Sequence, residues 1–186
     1  YMSYYTTGSA STEFAGESTL TSAIDYVTSD NLPKAYVLAG HGESDLPSSL
    51  QEDAESEHYT FTSLSLLTEE TVPDDADIVV IYAPQSDISE SERDTLLNYL
   101  AGGGKMLMVL DYIDTAQPNL AAVMAQYGMT LEDGIVLEGD ATHHMRGSNY
   151  YLLPDIDSHD ITDPIKEGGY YILMPVARGL TLNTAL

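Results

Sequence analysis

The chain has 186 residues, 43% of them apolar, with 30 acidic and 6 basic side chains and a formal net charge of −24. Domains usually run to about 100–200 residues, so one well-cored domain is expected, and such an acid excess repels phosphate backbones and anionic lipid alike, which excludes nucleic acid as a natural partner. The absence of cysteine removes thiolate nucleophiles, disulfides and sulfur metal ligands.

Residues 1–16 are rich in Tyr, Ser, Thr and Gly and read as an extended arm or linker, leaving 17–186 as a single α/β domain. Leu20, Ala23, Ile24 and Val27 recur at helical spacing and predict an amphipathic helix over 18–28. The apolar run 35–39 is the first strand; a loop over 40–45 and a short acidic helix over 48–57 follow. Residues 59–67 alternate and suit a second strand. Residues 77–83 are unbroken apolar, the mark of a strand covered on both faces. Ser89 and Glu92 have the spacing of a capping box; Leu96, Leu97 and Leu100 supply the buried stripe of the helix it opens, and Gly102 is placed to end it in the left-handed conformation. A fourth apolar strand over 105–111 ends in an acid, and a helix over 119–126 carries Leu120, Val123 and Met124.

Strands alternating with helices, joined by right-handed crossovers, give a flavodoxin-like, doubly wound, mostly parallel sheet. Beyond Thr130 the pattern weakens into short strands, turns at Gly134, Gly139 and Gly147, and an apolar run over 170–176. That irregular C-terminal extension is expected to extend the sheet edge or cap it. No apolar run approaches the ~20 residues that cross a bilayer, and the chain opens at Tyr1 without a signal-peptide pattern, so it reads as a soluble piece of something longer.

In strand order 2-1-3-4 a crevice opens at the carboxyl ends of strands one and three. His41 and Glu43 follow strand one, Gln85 and Ser86 follow strand three, and Asp111 with Tyr112 follow strand four. These six are the candidate ligand-binding residues. A histidine two residues from a glutamate is chemically able to act as an acid–base pair or to hold a metal. The simpler reading of Gly40-His-Gly-Glu43 is a tight turn whose side chains fix the loop.

Other motifs are weaker. His143, His144 and Arg146 lack the three or four ligands at helical or knuckle spacing that zinc requires. Asp155, Asp157 and Asp160 lack the glycine and terminal glutamate of an EF-hand loop. The stretch 102–105 follows a helix and opens a strand, the reverse of a phosphate-binding loop. No Gly-x-Ser-x-Gly elbow is present. No metal site, cofactor or catalytic set is assigned on these grounds.

The segments 20–24, Gly40-His-Gly-Glu43, 73–81, Ala83-Pro84, the leucines at 97–100, and 103–111 together resemble the ABC-type uncharacterised transport system auxiliary family, which includes the gliding-motility-type ABC transporter auxiliary proteins. The match runs from about Glu17 to Val176; where that family tends to show His-Pro-Ile, this chain has His159-Asp-Ile161. The resemblance implies a fold like class I glutamine amidotransferases without their catalytic cysteine. It also implies an extracytoplasmic domain, held at the cell membrane by segments outside this chain, beside an ABC permease and its ATPase. On that basis the chain is expected to be a noncatalytic accessory domain that binds a partner subunit or transported ligand. The alternatives are a hydrolase or amidotransferase-like enzyme using His41 and Glu43, and a small-molecule or glycan-binding module using Tyr1, Tyr4, Tyr5, Tyr150 and Tyr151.

Overall fold

Leu20, Ile24 and residues 32–183 are described in a computed structural model. The expected arm over 1–16 lies outside these residues, as does the expected helix over 18–28 apart from Leu20 and Ile24, which are helical. Four strands form a parallel sheet: β1 (Lys34–Leu38), β2 (Thr60–Leu64), β3 (Ile78–Tyr82) and β4 (Met106–Val109). Their order is β2-β1-β3-β4, with Ala35 opposite both Phe61 and Ile78, and Val79 opposite Met106. This is the order anticipated from the alternation of elements.

β3 is apolar throughout because it lies inside the sheet: Val79, Val80 and Ile81 are all buried although they point alternately to opposite faces. One face packs Leu38, Leu64, Val79 and Ile81 against Leu96 of α2 (Glu90–Ala101) and against Leu120 and Val123 of α3 (Pro118–Ala125). Each such leucine contributes about 2 kcal/mol by leaving water. The other face has a smaller cluster of Ala35, Leu46 and Val80. The helix that follows Leu46, α1 (Ser48–Ser56), buries no residue.

The capping box of α2 forms as expected: the Glu92 N–H donates to Ser89 Oγ at 3.3 Å, and the Ser89 N–H donates to Glu92 Oε2 at 2.8 Å. The helix ends before Gly102 as anticipated, but the left-handed residue stands one position later. Gly102 keeps φ −75° and Gly103 takes the left-handed conformation at φ +92°. Tyr99 then ties the helix end to β4, its hydroxyl bonding the Lys105 carbonyl and N–H, each at 3.1 Å. α3 is capped from a distance by Asp87, whose oxygens accept the N–H groups of Asn119 and Leu120 at 2.9 and 3.0 Å.

β4 is the sheet edge, as the order 2-1-3-4 places it, and Leu107 and Val109 are 41% and 37% exposed. Among the described residues the C-terminal part adds no strand to that edge. β5 (Met129–Leu131) pairs antiparallel with β9 (Leu180–Leu182), while β6 (His144–Met145), β7 (Ser148–Leu152) and β8 (Met174–Pro175) make a separate antiparallel sheet. A one-turn helix, α4 (Asp163–Glu167), lies between β7 and β8. The apolar run at 170–176 contributes only Met174–Pro175 to a strand, and Tyr170 and Tyr171 stay exposed.

Candidate functional site

The loop after β1 is built by two glycines in backbone conformations that side chains rarely adopt, Gly40 at φ +125° and Gly42 at φ +75°. A Cβ on Gly42 would stand 3.2 Å from that of Gln85, so the loop can lie against the one after β3. The His41 carbonyl joins them, accepting the N–H groups of Gln85 and Ser86 at 2.9 and 3.0 Å and the Ser86 hydroxyl at 3.2 Å. Gln85 turns its own amide back to the Ala83 carbonyl at 2.9 Å. His41, Glu43, Gln85 and Ser86 are thus brought together, with Gln85 and Ser86 bound to the loop through backbone groups.

The His41 ring is buried, 6% exposed, between two carboxylates. Nδ1 lies 3.0 Å from Glu43 Oε1, and Nε2 lies 3.2 Å from Glu92 Oε2. Glu43 is held in turn by the N–H groups of Gly40 and His41, which donate to its Oε2 at 3.0 and 2.8 Å. Neutral imidazole has one N–H and donates to only one of these partners, whereas imidazolium donates to both. Burial pushes the Glu92 carboxyl upward, but the Ser89 backbone N–H, the Ser89 hydroxyl and His41 outweigh it and hold Glu92 below its ordinary range. Glu92 Oε1 is buried without a hydrogen-bond partner, although it too lies 3.2 Å from Nε2. With both nitrogens facing carboxylates of the chain itself, the ring has no free nitrogen to offer a substrate.

Glu92 escaped the sequence reading as a partner of His41. Its capping-box role is local and visible; its second role appears only when the start of α2 lands beside the loop after β1.

Asp111 and Tyr112 make no hydrogen bond to this group. Both are exposed, and Asp111 Oδ1 accepts the Tyr112 N–H at 2.8 Å. They line a cavity of about 730 Å³ along the edge of β4, within the range of small-molecule sites. One wall is β4 and the end of α3, including Met106, Leu107, Met108 and Met124. The other runs through Met174, Val176 and Leu180. Arg178, the basic residue in the lining, is committed: its Nε and Nη2 donate to the Glu132 carbonyl at 3.1 and 2.9 Å. Val176 holds φ +54°, which is strained for a β-branched residue, and its N–H donates to the Tyr150 carbonyl at 2.8 Å. Tyr112, Leu131 and Arg178 also border a smaller recess that carries Asp114 and Asp133. The cavity was missed from sequence, although an edge position for the fourth strand already followed from the order 2-1-3-4.

The remaining candidates are dispersed. His143 lies 3.5 Å from Asp140 and 3.4 Å from Asp155 in an exposed loop, and His144 Nδ1 meets the Met145 carbonyl at 2.8 Å. Among the described residues no group of three or more His, Asp or Glu is arranged to hold a metal ion. Tyr150 and Tyr151 pack on each other with ring centroids 5.0 Å apart; Tyr1, Tyr4 and Tyr5 lie outside the described residues. No described helix is long and apolar enough to cross a membrane.

These features define a mixed α/β protein built on a four-stranded parallel sheet. A similar fold occurs in the solved structure of the "mmIFT52 N-terminal domain", at a TM-score of 0.59 and 16% identity over 82% of this chain and 69% of that one. The chain belongs to the family described as "ABC-type uncharacterized transport system", whose model matches residues 32–150, and so is an auxiliary component of such a system. No curated protein sequence matches it.

Proposed function

We propose that the chain is a noncatalytic accessory domain of an ABC-type transport system that binds a partner subunit or the transported ligand in the cavity beside β4. In this reading residues 17–186 are one domain behind the arm at 1–16. Its fold is doubly wound, flavodoxin-like or class I glutamine amidotransferase-like, and segments outside this chain hold it on the extracytoplasmic side of the cell membrane, beside the permease and ATPase. The observation that carries the reading is the 730 Å³ cavity, walled by aliphatic and methionine side chains: such a surface offers burial and shape, which is binding chemistry. Asp111 and Tyr112 are its rim. His41, Glu43, Gln85 and Ser86 serve to lock the loops after β1 and β3 to each other.

The hydrolase or amidotransferase alternative needs a free base beside a nucleophile. His41 faces carboxylates on both sides, and the Ser86 hydroxyl points to the His41 carbonyl. The test is transport by the full-length protein assembled with its permease and ATPase. Leu107→Asp is expected to abolish assembly or transport, while His41→Gln, assayed below its melting temperature, is expected to leave both within about twofold. A folded His41→Gln protein that assembles but does not transport would favour the enzyme reading.

A further inference from the structure

We propose that β4 is the acceptor for an extended, uncharged strand of a partner subunit, flanked by basic residues, which adds to the sheet as its fifth strand. The proposal rests on the reading of the cavity as the binding site and names its occupant.

In a parallel strand the N–H and C=O of one residue point to the same side, and successive residues alternate. The Lys105 carbonyl accepts from the Val79 N–H at 2.9 Å, and the Val109 carbonyl from the Ala83 N–H at 2.8 Å, so residues 105, 107 and 109 face β3. The backbone groups of Met106, Met108 and Leu110 therefore point away from the sheet, and all three residues line the cavity. Among the described residues β3 is the one strand paired with β4; the nearest C-terminal strands, β5 and β9, pair with each other.

Natural sheet edges are blunted by charge, proline, bulges or a covering element. The sequence Met-Leu-Met-Val of β4 carries neither charge nor proline, and its register with β3 runs without a bulge. An apolar cavity with a row of outward N–H and C=O groups discriminates between occupants. A hydrocarbon ligand would bury those groups unpaired, at a cost for each one. A peptide strand pairs them while its alternate side chains meet the methionines, whose flexible thioethers adapt to varied partners. Four residues of β4 span about 13 Å, enough for a short donor segment. Charge selects its flanks: the chain carries −24, Asp111 lies at the rim with Asp114 and Asp133 in the adjoining recess, and Arg178 is bound to the Glu132 carbonyl. Basic residues beside an uncharged core match that field.

The experiment combines hydrogen exchange with co-purification, using the full-length protein and its permease and ATPase subunits. In the protein alone, the Met106, Met108 and Leu110 amides should exchange as open groups; in the assembled system they should slow by about tenfold or more. Met108→Pro removes one outward N–H while sparing the bonds to β3, and should abolish assembly, whereas Met108→Leu should retain it. If Met108→Pro assembles normally while Leu107→Asp does not, the cavity binds but strand addition is overturned. If both assemble, the reading of the cavity itself fails. Protection of the three amides in the protein alone also overturns the proposal. It would mean that the arm at 1–16 or a second copy fills the edge, two cases told apart by deleting the arm and by molecular mass.

Discussion

The two halves of this chain solve stability differently. Among the described residues every buried side chain lies between Ala35 and Met124. From residue 129 onward the described residues hold together through turns and backbone bonds, such as Glu138 N–H to the Asn149 carbonyl at 2.8 Å and Leu153 N–H to the His143 carbonyl at 2.7 Å. Apolar residues are not scarce there, but Leu137, Ile161 and Tyr171 are 61%, 76% and 83% exposed. Apolar content alone does not make a core; it must recur with the period of the element that carries it. The first half supplies a folded sheet, and the second supplies the far wall of the cavity without contributing much to cohesion.

The sharpest way to break this contrast is to remove one large side chain from each half. Leu96 is fully buried between α2 and the sheet, so Leu96→Ala should cost about 3 kcal/mol in a urea melt, through lost transfer energy and the cavity left behind. Tyr171→Ala should change stability by less than about 0.5 kcal/mol. Equal costs would show that the C-terminal part is cohesive in a way its exposure denies.

A second, smaller effect probes the polar centre of the first half. Glu92 is 2% exposed and accepts from the Ser89 N–H while facing His41. Glu92→Gln should cost about 2 kcal/mol near neutral pH, the scale of a buried hydrogen bond to a charged group. Because folding depresses the Glu92 carboxyl below its ordinary value of 4.5, the contribution is complete above that value and is lost as pH falls through the lower folded-state value. The stability gap between wild type and variant should therefore stay level above about pH 4.5 and close on further acidification. A gap that widened in acid would reverse the assigned direction.

How far the sequence could be read follows the same division. β3, the capping box at Ser89 and Glu92, and the meeting of the His41 loop with Gln85 and Ser86 were legible because each rests on local pattern or on strand order. The pairing of His41 with Glu92 was not, since 51 positions separate them and only packing joins them. The edge position of β4 followed from strand order, but the cavity along it was not legible, because an apolar run says what a strand is able to bury and not which later segment stands opposite it. In the C-terminal part the expected edge or cap became two small antiparallel sheets: apart from β7 their strands run to only two or three residues, too short to show a period. At the end of α2 the error was a single residue, Gly102 for Gly103, in a run of three glycines where spacing cannot discriminate.

Two glycines offer the finest comparison, because they make the same backbone demand in different halves. Gly103 has φ +92° and Gly134 φ +81°, and a Cβ at either would meet nothing within 4 Å. Alanine at each therefore imposes only the cost of the left-handed conformation, about 1 kcal/mol. At Gly103 the strain falls between α2 and β4, inside the cooperative core, and should lower the main melting transition by that amount. At Gly134 it falls in the loop after β5, where it should leave the main transition within about 0.5 kcal/mol. It should appear instead as faster exchange of the Val136 amide, which donates to the Ala177 carbonyl at 2.9 Å. If Gly134→Ala lowers the main transition as much as Gly103→Ala, the two halves unfold as one unit, and the far wall of the cavity is as firmly built as the sheet it faces.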